Sequence, residues 1–202
     1  MNLLDLFTKI RTVKYTHIEE SASYAYERVG NTLYIYFEGS NGARDWLNNF
    51  NFPATPYKRM EYKWYAHRGF LKVWKAVEPH VKPLICDLSV EQIIIGGYSH
   101  GGALAALCHE YCKYNRPDIC VSGFGFGSPR VLWGFMRKAV KKRFEGFMVI
   151  RNGRDIVTCA PPAWMGYRHV GKLLEIGQFS DYNPIESHIA ANYKKELRRF
   201  YD

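Results

Sequence analysis

The most constraining stretch of this chain is Ile93-Ile94-Ile95-Gly96-Gly97-Tyr98-Ser99-His100-Gly101-Gly102-Ala103, where an apolar run meets four glycines around one serine. The run from Gln92 to Gly96 reads as a short buried strand, and the Ala/Leu-rich segment from Gly101 to Tyr114 reads as a helix. Only a tight turn fits between them. Gly97-Tyr98-Ser99-His100-Gly101 is a G-x-S-x-G pattern, which chance supplies in roughly one chain in fifteen of this length. Its setting between strand and helix is what makes it informative. A serine on so sharp a turn exposes its hydroxyl, the next backbone N–H faces an oxyanion formed there, and the glycines leave room for both. The first N–H groups of the helix aim at the same place. Ser99 is the candidate nucleophile; the alternative is a glycine turn with a purely architectural role.

A serine hydroxyl needs a base to activate it and an acid to orient that base. On strand–turn–helix nucleophiles the order along the chain is serine, acid, histidine. Past Ser99, His109 lies inside the following helix, which leaves His169 and His188. His169 sits in the strand-like Tyr167-Arg-His-Val-Gly-Lys-Leu-Leu, where its ring is held on a sheet face. His188 opens a helix after the loop from Gly177 to Ser187 and is the favoured base. For the acid, Asp155 follows the strand Phe147 to Arg151 through Asn152-Gly153-Arg154, at a carboxyl end where open α/β sheets keep their chemistry. Asp181 competes from the loop before His188, and Asp118 lies at the wrong end of a strand. Asp155 is favoured, because a rigid strand end can hold the imidazole in one tautomer.

Around these residues strands alternate with helices. Tyr24 to Val29 and Thr32 to Phe37 flank Gly30-Asn31 as a hairpin. Gly69 to Ile85 reads as a helix, Ile119 to Gly125 as a strand, Tyr167 to Ile176 as a strand, and Ile189 to Phe200 as a closing helix. This order implies an α/β fold, a mostly parallel sheet with helices on both faces, in one domain over residues 1–202. At 47% hydrophobic and 23% charged residues, the chain has the composition of an ordinary globular protein. No apolar stretch approaches the roughly 18 to 20 residues of a membrane-spanning helix. The first residues carry an acid, Asp5, where a signal peptide carries bases. Five cysteines (Cys86, Cys108, Cys112, Cys120, Cys159) form no metal spacing and read as buried, reduced thiols. Together these features favour a reducing, cytoplasmic setting.

The net charge of +9 concentrates in Arg137, Lys138, Lys141, Lys142 and Arg143, interleaved with Trp133, Phe135, Met136, Val140 and Phe144. This reads as an amphipathic helix from about Val131 with a solvated basic face, able to meet an anionic interface. No motif that reads RNA or DNA accompanies it, so nucleic acid is not an expected partner.

Five ordered segments, spanning about residues 24 to 200, resemble the class 3 (fungal-type) lipases of the α/β-hydrolase superfamily. They are Gly97-Tyr98-Ser99-His100-Gly101-Gly102-Ala103-Leu104-Ala105, Gly125-Phe126-Gly127-Ser128-Pro129-Arg130-Val131, Asp155-Ile156-Val157 with Pro161-Pro162, His67-Arg68-Gly69-Phe70, and Tyr167-Arg168-His169-Val170-Gly171. The last match gives His169 an architectural place and leaves His188 as base. Phe37-Glu38-Gly39-Ser40 resembles the family's Phe-Arg-Gly-Thr/Ser, which implies an oxyanion hole from Ser40 and the N–H of His100. Glu38 reverses the charge of the family's arginine. Trp46, Leu47 and Phe50 fall where the family carries a short lid helix, and share one face. The resemblance implies a serine ester hydrolase acting on lipid acyl esters without metal or organic cofactor. Short soluble esters, aryl esters and phospholipids are alternative substrates, and a silent lipid-binding scaffold is the reading from outside enzymes.

Overall fold

The computed structural model describes residues 2–19, 22–39, 53–57, 64–134 and 138–201. Helix α1 (Leu3–Thr12) starts at Asn2, whose side chain accepts from Asp5 N–H. Strands β1 (Thr16–Glu19), β2 (Ala22–Val29) and β3 (Thr32–Phe37) follow, and β2 and β3 form the expected antiparallel hairpin. Two short strands, β4 (Ala54–Pro56) and β5 (Tyr65–His67), lead into α2 (Arg68–Ile85), β6 (Gln92–Tyr98) and α3 (His100–Asn115). The chain continues through β7 (Cys120–Phe126), β8 (Leu132–Trp133), α4 (Lys138–Arg143) and β9 (Phe147–Asn152). It ends with β10 (Tyr167–Arg168), β11 (Lys172–Ile176) and α5 (Ala190–Arg199), with three short 3₁₀ turns between Val157 and His188.

The main sheet runs β1-β2-β3-β6-β7-β9-β11, and β3, β6, β7, β9 and β11 are parallel to one another. Parallel strands require crossovers, and these carry helices onto both faces. One face is sealed by α2 and α3. Phe70, Leu71, Trp74, Val77, Val81 and Ile85 form the buried stripe of α2, each side chain contributing roughly 1.5 to 3 kcal/mol on burial. On the other face Leu6, Phe7 and Ile10 of α1 pack with Tyr98, Phe126, Tyr193 and Leu197. A second sheet, β10-β8-β5-β4, is small.

Two expected elements are redrawn. The segment Tyr167 to Ile176 divides between two sheets. Gly171 breaks it at φ +73, and a Cβ there would stand 2.1 Å from the carbonyl oxygen of Phe147. His169 therefore lies in a link, not on a sheet face. The basic helix does not begin near Val131, because Leu132 and Trp133 are claimed by β8, paired to β5 and β10. Phe135, Met136 and Arg137 lie outside the described residues, and α4 starts at Lys138. Arg143 is not merely solvated: its guanidinium lies 3.2 Å from the fully buried carboxylate of Glu110 and over the Tyr114 ring. Two elements outside the sequence-based expectation, α1 and β1, complete the sheet's other face and edge.

The helix behind the serine lies unusually close to the sheet. A Cβ on Gly97 would stand 2.0 Å from Gly101 O, and one on Gly101 would stand 2.3 Å from Phe37 O. Backbone cannot yield as a side chain can. Gly101→Ala should lower stability by about 3 kcal/mol or more, the upper end for overpacking, read as a fall in the urea midpoint at unchanged slope. A variant as stable as the parent would show that α3 can slide.

Candidate active site

Ser99 links β6 to α3 with φ 56 and ψ −123. For a residue with a Cβ this conformation costs on the order of 1–3 kcal/mol and persists only where its surroundings hold it. Here Ser99 N–H donates to Phe126 O at 2.8 Å, and Gly102 N–H donates to Ser99 O at 2.9 Å. The turn directs Ser99 Oγ to His188, whose Nε2 is 2.9 Å away. His188 lies in the 3₁₀ turn Glu186–His188, just ahead of α5 and one element earlier than expected.

The imidazole is held on three sides. Nδ1 is 2.8 Å from Asp155 Oδ2. The ring stacks on Tyr98 at 5.1 Å and 15°, and the Tyr98 hydroxyl donates to the carbonyl oxygen of His188. Asp155 leaves β9 through a turn in which its N–H donates to Asn152 O at 3.0 Å. Its carboxylate is fully buried and accepts from Tyr193 Oη at 2.6 Å and from Val157 N–H at 2.8 Å. A carboxylate can only accept, so Nδ1 is the donor of the His188–Asp155 bond and Nε2 is left to accept from serine. Burial and the neighbouring Asp155 charge push the Tyr193 hydroxyl well above the usual phenol range, so it remains a donor.

The competitors are elsewhere. His169 Nε2 lies 2.7 Å from Thr158 O, and Thr158 Oγ1 donates to Asp155 O at 2.7 Å, so His169 braces the loop behind the acid. Asp181 caps its own loop by accepting from Gln178 N–H, and Asp118 pairs with Arg116. The ring of His100 is buried against Phe70. As the first residue of α3, its backbone N–H has no intrahelical acceptor and is available to an anion. Ser40, Trp46, Leu47 and Phe50 lie outside the described residues. Gly39, just before them, passes the end of β6: a Cβ on it would stand 2.8 Å from Tyr98 O. Glu38 turns away toward β1, with Oε2 3.6 Å from His17 Nδ1.

Sequence reasoning missed Tyr193 and Tyr98 as supports of the acid and base. Tyr193 announces itself only as a core position four residues before Leu197 on α5. Gly127 was visible as a motif without a reason. Its φ is +57, and a Cβ there would stand 3.0 Å from both Asp155 Oδ2 and the His188 ring.

Residues 34–165 match the family described as Lipase (class 3), well over half of the chain. The chain belongs to this family. Among the relatives, a secreted mono- and diacylglycerol lipase of Fusarium solani is 27% identical over 141 residues, covering 68% of this chain and 41% of that protein. A lipase of Rhizomucor miehei is 30% identical over 149 residues, covering 70% and 40%. The chain thus spans about two fifths of the length of those relatives. In structure, the Rhizomucor miehei lipase–propeptide complex aligns with a TM-score of 0.71 at 21% identity, over 92% of this chain and 66% of that one. The α/β-hydrolase fold is therefore shown.

The cytoplasmic expectation is overturned, because relatives from Fusarium solani and Malassezia restricta are named secreted lipases. Cysteine usage misled here for a physical reason. Cys108 and Cys112 are buried in α3 as small apolar groups, a packing that serves equally in any redox setting, whereas Cys86, Cys120 and Cys159 are exposed, against the expectation of buried thiols. Among the described residues no helix is long and apolar enough to cross a membrane.

Burial depresses four histidines, His67, His100, His109 and His169, each to about 4. Between pH 6.5 and 4 the unfolded chain binds protons that the folded chain refuses, so stability falls as pH falls through that window. Each residue forfeits on the order of 3 kcal/mol by its lower limit. The urea midpoint should be level above pH 7 and fall progressively as pH drops from 6.5 towards 4. A midpoint still level at pH 4.5 would contradict this.

Proposed function

We propose that this protein hydrolyses lipid acyl esters through an acyl-enzyme on Ser99. The supporting observation is the unbroken chain Ser99–His188–Asp155, at 2.9 and 2.8 Å, on a turn whose backbone is held in a strained conformation. His188 Nε2 takes the Ser99 proton as Oγ attacks the ester carbonyl. Asp155 stabilises the imidazolium that forms, without itself taking the proton. The carbonyl oxygen gathers negative charge and is met by the N–H of His100, with Ser40 as the second donor assigned from the family resemblance. His188 then returns the proton to the leaving alkoxide. Water repeats the sequence against the acyl-enzyme and releases the acid.

The rim supports an apolar substrate. Ile156 follows Asp155, Ile189 follows His188, and the carbonyl of Ile185 accepts from His188 N–H, yet these isoleucines are 41 to 47% exposed. Apolar side chains gathered in the open around a polar site fit a partner with acyl chains. The relatives named mono- and diacylglycerol lipases make partial glycerides the first substrates to try, and an extracellular site of action is part of the same reading.

The test is hydrolysis of p-nitrophenyl esters from acetate to palmitate, in solution and as emulsions. Ser99→Ala should abolish turnover, and Asp155→Asn should lower kcat about 10⁴-fold by fixing the wrong tautomer. A long-chain optimum supports the lipid reading, and an acetate optimum favours soluble esters. A native protein as inert as Ser99→Ala on every ester would overturn the hydrolase.

A further inference from the structure

Four cations follow one another along α5: Lys194, Lys195, Arg198 and Arg199. Two are accounted for. Arg199 bonds the Glu196 carboxylate at 3.0 and 3.2 Å and lies 3.8 Å from Asp181, and Lys195 lies over the Tyr182 ring. Lys194 and Arg198, four residues apart, share a neighbouring side of the helix. Like charges at this spacing repel and weaken a helix. Among the described residues neither has a carboxylate partner.

Both line a groove between α5 and α1. Its volume is about 360 Å³, and Leu4, Asp5, Thr8 and Lys9 form the facing wall. Lys9 is answered by Glu27 at 2.5 Å. Asp5 is the one carboxylate in the lining and lies in the first turn of α1, where the helix dipole favours it. A smaller hollow of about 150 Å³ continues the groove past Lys194 to Arg11, Ala190 and Ala191. That end adjoins the catalytic site. Ala190 stands two residues after His188, and the Arg11 guanidinium lies 5.3 Å above the Tyr98 ring that stacks on His188. Ile189, next in sequence to His188 and Ala190, is exposed, as is Ile185, whose carbonyl accepts from His188 N–H.

We propose that the α1–α5 groove binds the anionic headgroup of a lipid within the surface that carries the ester. Lys194, Arg198 and Arg11 supply the positive field, and the isoleucines beside His188 meet the acyl layer. The chain's net charge of +9 draws it to such a surface, and the groove determines which side docks. The proposal rests on the ester-hydrolase reading only for the nature of that surface, and its binding test needs no turnover.

The host for the test is Ser99→Ala, which cannot consume the lipid. Its binding to phosphatidylcholine vesicles is compared with binding to vesicles doped with phosphatidylglycerol. Two double variants are made in that host: Lys194→Gln with Arg198→Gln in the groove, and Lys141→Gln with Lys142→Gln on distant α4. Both pairs remove two charges. The expected result is preference for doped vesicles in the host, about 25-fold weaker binding in the groove pair at about fivefold per cation, and little change in the α4 pair. In the native background the groove pair should hydrolyse a soluble ester normally, which shows that it folds. Equal losses in the two pairs would reduce the effect to net charge and overturn the proposal. So would absence of preference in the host. Inorganic phosphate that raises the melting temperature of the host but not of the groove pair, without vesicle preference, would identify a soluble-anion site and overturn it too. If the native protein hydrolyses no ester, the vesicle comparison still decides the groove.

Discussion

Everything at the site depends on how closely α3 lies against the ends of β3 and β6. The carbonyl of Phe37, the backbone at Gly97 and the first turn of α3 occupy a space with no room for a methyl group at residues 97 or 101. That contact fixes where the helix begins, and hence where the N–H of His100 stands relative to Ser99. It also holds the serine in a left-handed conformation that a free turn would abandon. Local strain is thus held by packing, and packing depends on residues with no side chain to offer.

The second organising constraint is dryness. Asp155 sits without solvent exposure, yet three donors from separate elements reach it: His188, Tyr193 and Val157. A buried carboxylate is tolerable only when so satisfied. The same low-dielectric surroundings make the Asp155–His188 interaction strong and directional. Gly127 belongs to this arrangement, since its missing side chain is the space into which the acid and the imidazole fit.

Much of this was legible in the residues. The G-x-S-x-G turn is a steric demand that sequence writes openly, and Asp155 and His188 follow from their order and from strand ends. Legibility failed where tertiary contacts decide. Nothing local in Tyr167 to Ile176 reveals that its halves pair with different sheets, because the break depends on the Phe147 carbonyl lying against Gly171. Trp133 looked helical by its neighbours, but β8 captures it through pairings to residues far along the chain. Glu110 read as one more helical residue, and only the folded chain brings Tyr57 and Arg143 to its carboxylate. Tyr193 is the same case: periodicity marks it as core, and only the third dimension shows which oxygen it touches.

The order in which the site's parts leave the ribosome has its own meaning. Ser99 and its turn are made early, whereas His188 lies 89 residues later and reaches Ser99 only as the segment carrying α5 docks. Tyr193, which braces the acid, comes later still, and α5 in turn packs on α1 from the opposite end of the described chain. A nascent chain therefore holds a serine turn with no base beside it. The Ser99–His188–Asp155 arrangement is incomplete until that long-range closure is made.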